Sequence, residues 1–337
     1  MASNELGFER NDYKGKKSTL CSGCGHDSIT NHIISALFQS SVNPYDVAKL
    51  SGIGCSSKTP TYFLEKSAGF NSLHGRMAPL ATGVKLVNPK LTVVGISGDG
   101  DSASIGLGGF CHLLRRNLPM VYVVENNGVY GLTKGQFSAT ADVGSSRKSG
   151  EINSFSSIDL CSVAIEMGCG FVARSFSGDA KQLVPLLRAA LEFNGTAFID
   201  IISPCVTFAN HPGSTKSYDA VKEHKWQLQE LGFIESKEEI TADYEGSTVI
   251  TMHDGSKLVL TKVDGDLHDV TDVMAAQKLL FEARQNQQFA TGLFYFNEEK
   301  PTLLDQQSVT GTELYRLGES ELRPSLEQLN EIQNQYR

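Results

Sequence analysis

No stretch of the 337-residue chain offers the roughly 18 consecutive apolar residues of a membrane-spanning helix, so no membrane span is expected. Met1 to Lys17 is polar and mixed in charge, without the apolar run of a secretory leader, which points to a cytoplasmic protein. Cysteine is sparse: seven residues, an odd number scattered along the chain, do not make the disulfide framework of a secreted domain. Basic residues are not in excess, with 30 Lys and Arg against 38 Asp and Glu, and no basic stripe is interleaved with aromatics, which argues against nucleic acid as a partner. The net charge of −8 is uneven. Residues 1–226 carry 21 basic and 18 acidic residues, and residues 227–337 carry 9 and 20, so the acidity belongs to the C-terminal part. No internal repeat is visible.

What is present centres on residues 91–136. An apolar, β-branched run, Leu91 to Ser97, leads into Gly98-Asp99-Gly100-Asp101. A helical pattern follows, with Ile105, Phe110, Leu113 and Leu114 on one face, then a second apolar run, Met120 to Val124, which ends in Asn126-Asn127. Ligands of parallel sheets collect outside the carboxyl ends of strands, so the two polar ends are expected to hold one ligand between them. Asp99 is a hard oxygen donor on a turn that Gly98 and Gly100 leave open to a phosphate, ahead of a helix N-terminus. Asn127 adds a neutral carbonyl oxygen. One carboxylate, one amide and phosphate oxygens suit an octahedral Mg2+.

Upstream, residues 1–20 read as an arm. Cys21-Ser22-Gly23-Cys24-Gly25-His26 precedes a helix expected from about Asp27 as N-cap, with Ile29, Ile33, Ile34, Leu37 and Phe38 on one face. A strand, 48–53, runs into Gly54-Cys55-Ser56-Ser57-Lys58. His74-Gly75-Arg76 opens a small-residue helix, Met77 to Val87. After Asn127 comes Gly128-Val129-Tyr130-Gly131-Leu132-Thr133-Lys134-Gly135-Gln136 and a polar loop over 137–157, of a length that is usually functional. Helix, strand and helix recur over 158–193, and a last strand, Ala197 to Ile202, leads into Ser203-Pro204-Cys205. The alternation predicts an α/β fold with a doubly wound, mostly parallel sheet over 21–208. From 209 to 337 the pattern loosens, with β-like runs at 248–252 and 257–263 and a polar, Gln-rich end. This part is expected to be an irregular extension that packs on a partner subunit.

Gly-Asp-Gly followed 25 residues later by Asn-Asn resembles the thiamine diphosphate signature. That resemblance implies Mg2+ held by Asp99, Asn127 and the main-chain carbonyl of Val129. It is not the dinucleotide fingerprint, because Asp101-Ser102-Ala103 continues the turn.

Cys21 and Cys24 form a C-x2-C pair that fits a redox motif, half a zinc site or a structural role. Cys55 and Cys205 both lie just past strand ends, where one sheet edge could gather all four. Four thiolates there suit a [4Fe-4S] cluster or zinc. Cys111, Cys161 and Cys169 sit in or beside helices and read as core residues.

Taken together, Cys-x-x-Cys-Gly-His, Gly-Cys-Ser-Ser, His-Gly-Arg, Gly-Asp-Gly-Asp, Asn-Asn-x-x-Tyr-Gly-Leu-Thr-Lys-Gly-Gln and a late Pro-Cys resemble the β subunits of the 2-oxoacid:ferredoxin oxidoreductases over about residues 21–208. Ser22 stands where the family usually has Pro, and Met77 where Ala is common. The resemblance implies CoA-dependent oxidative decarboxylation of a 2-oxoacid to acyl-CoA and CO2, or the reverse carboxylation, with electrons passing through one [4Fe-4S] cluster on Cys21, Cys24, Cys55 and Cys205 to ferredoxin. It places Gly54, Cys55, Ser56, His74, Gly98, Asp99, Gly100, Asp101, Asn127, Val129, Tyr130, Gly131, Leu132 and Thr133 around thiamine diphosphate. His74 and Arg76 become contacts for diphosphate or substrate. Lys58 is suited to the distal carboxylate of 2-oxoglutarate, and Leu132 to shaping that pocket, so 2-oxoglutarate is favoured over pyruvate.

Thiamine chemistry also needs a glutamate against the aminopyrimidine, and no pyrimidine-binding half is visible in this chain. An α (or fused γ-α) subunit is therefore expected to supply it together with the coenzyme A site, in an (αβ)2 assembly. The competing readings are a pyruvate-specific member, a non-redox thiamine decarboxylase subunit, and a zinc-stapled scaffold.

Overall fold

The computed structural model describes residues 3–147, 149–207, 226–229, 232–235, 238–253, 255 and 257–336. In chain order the elements are α1 (Gly25–Gln39), β1 (Val47–Ser51), β2 (Ala68–Asn71), α2 (Met77–Val87), β3 (Thr92–Gly98), a π-helical turn (Gly100–Ile105), α3 (Leu107–Arg116) and β4 (Met120–Asn126). A short hairpin, β5 (Val129–Tyr130) and β6 (Gln136–Phe137), is followed by α4 (Leu160–Glu166), β7 (Phe171–Phe176), α5 (Ala180–Glu192) and β8 (Thr196–Ile202). Then come β9 (Trp226–Gln229), β10 (Gly232–Glu235), β11 (Ser247–Thr251), β12 (Lys257–Lys262), α6 (Val273–Gln285), β13 (Phe289–Phe296), α7 (Leu303–Gln306), α8 (Glu319–Leu322) and α9 (Leu326–Asn334).

Nine strands form one sheet in the order β11-β12-β13-β7-β8-β4-β3-β1-β2. Pairing is parallel from β7 through β2, and antiparallel at β13–β7 and β11–β12. The strands alternate their side chains between two cores. Met120, Tyr122, Val124, Val172 and Phe198 meet α2, α3, α4 and α6 on one face. Val121, Val123, Phe171, Ala173, Ile199 and Ile201 meet α1 and α5 on the other. Both faces are covered, which is why these strands read as continuous apolar runs. Phe110 of α3 stands edge-on to Tyr122 and Phe198, with ring centres 5.2 and 5.1 Å apart, each such pair adding about 1 kcal/mol beyond burial.

Three local expectations are corrected. α1 starts at Gly25 with Cys24 as its N-cap residue, not at Asp27, because the chain turns at the C-x2-C loop, where the Cys24 N–H bonds the Cys21 carbonyl. The segment after Gly100 is a π-turn before it is an α-helix, and this rotates Ile105 out of the apolar face to 46% exposure, while Phe110, Leu113 and Leu114 are buried as expected. The C-terminal part is also less irregular than its composition predicts: β11, β12 and β13 extend the main sheet, with β13 bonded to β7. The arm is likewise packed, since Tyr13 is buried with its hydroxyl donating to the Val42 carbonyl. Cys161 and Cys169 are core residues as expected, and Cys111 is half-buried. Among the described residues no helix is long and apolar enough to cross a membrane.

Candidate functional site

The carboxyl ends of β1, β3, β4 and β8 lie side by side, and residues that follow β1, β2, β3 and β4 line a cleft there. Asp99 follows β3 directly. Its carboxylate is 1% exposed and fully engaged: Oδ2 accepts from Ser138 Oγ and, at 2.7 Å, from Thr140 Oγ1, and Oδ1 accepts from the Asn127 N–H at 3.3 Å. Burial raises the Asp99 carboxyl above its ordinary value, and the hydroxyl donors oppose that. Asn127 Oδ1 in turn accepts from the Val129 N–H at 3.1 Å. Asp99, Asn127 and Val129 thus form one bonded turn, rich in oxygen and without sulfur or imidazole, the donor chemistry of a hard cation. Tyr130 closes over this turn, its hydroxyl donating to the Gly100 carbonyl at 2.8 Å. A Cβ on Gly100 would lie 2.5 Å from the Tyr130 ring, so the glycine is required by that close approach.

Asp101 is spent on the scaffold. Its Oδ1 accepts from the backbone N–H of Gly75 at 2.7 Å and of Ile53 at 3.4 Å, and its Oδ2 from Ser97 Oγ at 3.1 Å. It ties the loops after β1 and β2 to the end of β3, and faces the cleft only from its floor.

The four cysteines arrive from three loops. Cys21 and Cys24 precede α1, Cys55 follows β1, and Cys205 follows β8. Gly25 N–H reaches the Pro204 carbonyl at 3.3 Å, which draws the first and last of these loops together. Burial first, then the neighbouring Cys205 and Cys21, pushes the Cys55 thiol up to about 12, with Lys58 opposing the shift. Cys24 is raised well above the ordinary thiol value, first by burial and then by Cys205. Cys24 and Cys55 thus each lie within electrostatic reach of Cys21 and Cys205. Among the described residues, however, no three Cys, His, Asp or Glu side chains converge closely enough for a single metal ion. Four thiols on three loops at one end of the sheet are the donor type of an iron–sulfur cluster or of zinc. His253, from the turn between β11 and β12, sits with Nε2 3.3 Å from the Gly23 carbonyl, bringing the C-terminal hairpin onto the C-x2-C loop.

All the residues expected around the cofactor line the cleft: Gly54, Cys55, Ser56, His74, Gly98, Asp99, Gly100, Asp101, Asn127, Val129, Tyr130, Gly131, Leu132 and Thr133. Lys58 and Arg76 are not part of that lining. Lys58 sits on the 3-10 turn Ser56–Thr61 beside Cys55, and Arg76 is exposed at the start of α2, with Nη1 donating to the Gly75 carbonyl.

Sequence reasoning missed Ile53 and Glu125 and gave His26 no role, yet all three line the cleft. Glu125 and His26 are buried. Thr59 Oγ1 donates to Glu125 at 2.9 Å, and His26 Nδ1 shares a 2.6 Å hydrogen bond with Ser203 Oγ. Burial raises the Glu125 carboxyl well above its usual value and lowers His26 to about 4. The available signal was a lone acid at the end of an otherwise apolar strand.

Residues 52–201 match the family of thiamine pyrophosphate enzymes, C-terminal TPP binding domain. A 2-oxoacid:ferredoxin oxidoreductase subunit beta from Sulfolobus is 42% identical over 200 residues, which are 59% of this chain and 65% of that one. The match therefore spans less than two thirds of that relative. The 2-oxoglutarate synthase subunit KorB of Methanocaldococcus jannaschii is 38% identical over 56% of this chain and 70% of its own. Among solved structures, a 2-oxoglutarate:ferredoxin oxidoreductase from Magnetococcus marinus, with 2-oxoglutarate, coenzyme A and succinyl-CoA bound, superposes with a TM-score of 0.70 at 30% identity, covering 89% of each chain.

Proposed function

This chain belongs to the β-subunit family of the 2-oxoacid:ferredoxin oxidoreductases, and from that premise we propose that it carries the thiamine diphosphate half of an enzyme that converts 2-oxoglutarate and coenzyme A to succinyl-CoA and CO2 with reduction of ferredoxin, or runs the reverse carboxylation. One observation carries the reading: a single cleft has the oxygen-rich Asp99–Asn127 turn at one end and Cys55 in its wall. When bound there, thiamine diphosphate supplies the electron sink for decarboxylation and a [4Fe-4S] cluster an acceptor for single electrons.

In this reading Asp99, the Asn127 amide oxygen and the Val129 carbonyl hold Mg2+. The Gly98–Gly100 turn receives the diphosphate, and Cys21, Cys24, Cys55 and Cys205 hold the cluster. Glu125 and His26 add a buried acid and a buried imidazole to the lining, burial favouring the uncharged form of each. Lys58 faces the distal carboxylate of the substrate, with Leu132 shaping the pocket, and His74 and Arg76 contact diphosphate or substrate from the rim. The pyrimidine-side glutamate and the coenzyme A site belong to an α or fused γ-α subunit, in an (αβ)2 assembly in the cytoplasm. Residues 21–208 carry the cofactor residues, and within 209–337, whose strands β11, β12 and β13 complete the main sheet, the exposed Leu326, Leu329 and Ile332 of α9 are the partner-facing part.

The test is anaerobic purification of the chain with its native partner, followed by iron, sulfide and thiamine analysis and by 2-oxoglutarate-dependent, CoA-dependent ferredoxin reduction. About four irons and one thiamine diphosphate per αβ pair are expected. Thiamine without iron identifies a non-redox decarboxylase, and zinc in place of iron removes ferredoxin from the scheme.

A further inference from the structure

Behind Asp99 a line of hydrogen bonds leaves the cleft and runs into the sheet. Thr140 Oγ1 lies 2.7 Å from Asp99 Oδ2 and 3.0 Å from Asn126 Oδ1. Asn126 Nδ2 donates to Asp200 Oδ1 at 3.0 Å. Asp200 Oδ2 accepts from Arg174 Nε at 2.8 Å, and Arg174 Nη2 donates to Asp159 at 3.0 Å. Asp200 and Arg174 are 1% and 5% exposed, and the guanidinium lies 5.9 and 5.8 Å from the ring centres of Phe289 and Phe294 on β13. Of these inner groups, Asn126, Asp200 and Arg174 do not line the cleft.

A threonine hydroxyl carries one proton, and here Asp99, Asn126 and, at 2.9 Å, Ser138 Oγ can each accept it, while Ser138 brings a second proton to the same Asp99 oxygen. Asn126 could turn its amide over and offer N–H groups to Thr140. Asp200 prevents it. A carboxylate bonded to a guanidinium only accepts, so Asn126 must give its NH2 to Asp200 and leave its oxygen on Thr140. The Thr140 proton can therefore leave Asp99 for Asn126 without losing a hydrogen bond, and Ser138 can turn its own proton to Thr140 Oγ1. The carboxylate oxygen that both vacate is then available to a cation.

We infer that Asp200, held by Arg174, is a positioning residue for the divalent-cation site, because by fixing the Asn126 amide it gives the Ser138 and Thr140 protons an acceptor away from Asp99, which lets Asp99 exchange its hydroxyl partners for metal. The inference rests on the reading of Asp99 as a cation ligand. It also gives the C-terminal strand a role in the site, since β13 supplies two of the rings beside Arg174.

The experiment titrates the purified complex with Mn2+ in the presence of thiamine diphosphate, followed by electron paramagnetic resonance, for the parent, Asp200→Asn, the Ser138→Ala/Thr140→Val pair, the triple variant and Asp99→Asn. In Asp200→Asn the new amide keeps its oxygen on Arg174 and turns its NH2 toward Asn126. Asn126 then flips, and one of the two protons on Ser138 and Thr140 must stay on Asp99. Mn2+ affinity is expected to fall about tenfold in Asp200→Asn, to stay within about threefold of the parent in the Ser138→Ala/Thr140→Val pair, and to return to that level in the triple variant, where no hydroxyl proton is left to compete. Parent-like affinity in Asp200→Asn, or losses that multiply in the triple variant, overturn the inference. Asn126→Ala removes the same acceptor, is expected to show the same rescue by the Ser138→Ala/Thr140→Val pair, and takes the place of Asp200→Asn if circular dichroism finds that variant unfolded. Asp99→Asn separates the two levels. Lost Mn2+ binding there with Asp200→Asn unaffected removes only the positioning role, whereas undiminished binding in Asp99→Asn removes the cation reading and this inference with it.

Discussion

Glu125 Oε2 lies 3.6 Å from His26 Nδ1, and both side chains are buried in the wall of the cleft between the Asp99 turn and the cysteine loops. The spacing suits an ion pair, but burial favours the neutral form of each, holding the Glu125 carboxyl well above its usual value and His26 at about 4. Each group is satisfied by a neighbouring hydroxyl, Thr59 for the acid and Ser203 for the ring.

Replacing Glu125 by Gln keeps the shape and the absence of charge, and the pH dependence follows from the direction of the shift. A carboxyl whose folded value is raised costs stability once the pH passes its unfolded value of 4.5, because the unfolded chain ionises and the folded one does not. His26, depressed from 6.5 to about 4, has the opposite effect and costs stability as the pH falls through that window. Glu125→Gln removes only the first cost. Its melting temperature relative to the parent is therefore expected to rise as the pH climbs above 4.5, read from thermal melts in matched buffers. A relative melting temperature that falls over that range would mean that Glu125 is ionised and paired with a protonated His26.

The strand–turn–helix–strand unit around Asp99 was legible because its signals are local: an apolar run, a glycine turn and an amide pair at fixed spacing. The covered sheet followed from the same runs. What stayed hidden depends on distant partners. β13 reads as an ordinary apolar segment, and only its pairing with β7, more than a hundred residues earlier, makes it part of the sheet. The outward turn of Ile105 comes from a π-turn in which the Asp101 side chain is clamped by Gly75, Ile53 and Ser97, three residues no spacing rule connects to it. Glu125 passed as the polar end of a strand because its burial is set by α1 and by the loop that carries Thr59.

Serine at Cys24 or Cys55 separates cluster ligands from core cysteines. Each change is expected to lower the iron content of anaerobically purified complex by more than about half, while thiamine diphosphate still binds at the Asp99 turn. Cys161→Ser, whose thiol donates to the Ala173 carbonyl in the core, is expected to leave iron unchanged. Iron and thiamine assays on the same samples decide it, and equal iron loss in Cys161→Ser would remove the specificity of the assignment.

Lys49 gives a separate pH signal far from the cofactors. Its ammonium is buried and donates to the Phe63 and Leu64 carbonyls at 2.7 and 2.8 Å, and burial lowers it to about 8. A lysine that binds its proton less tightly when folded penalises folding below that value, and the penalty fades as the pH rises toward the unfolded value of about 10.4. The parent is expected to lose less stability than Lys49→Met between about pH 8 and pH 10, measured by denaturant melts. Parallel curves would show that the two carbonyl bonds keep the ammonium charged throughout.

In the proposed reading Lys58 selects the substrate. It lies beside Cys55, its backbone N–H bonded to the Cys55 carbonyl at 3.1 Å, and its charge opposes the upward shift of that thiol. It is not part of the lining of the cleft, and in the proposed reading it meets the far end of a substrate whose oxo group is at the thiamine end. The second carboxylate of 2-oxoglutarate is such an end, and pyruvate has none. Lys58→Ile removes the charge while keeping an apolar side chain, so kcat/KM for 2-oxoglutarate is expected to fall by about one to two orders of magnitude, the cost of one charged contact, with pyruvate changed by less than about threefold. Equal losses on the two substrates would instead place the lysine's effect on the cysteine loop that both reactions share, and iron content measured in the same preparations would then fall with activity.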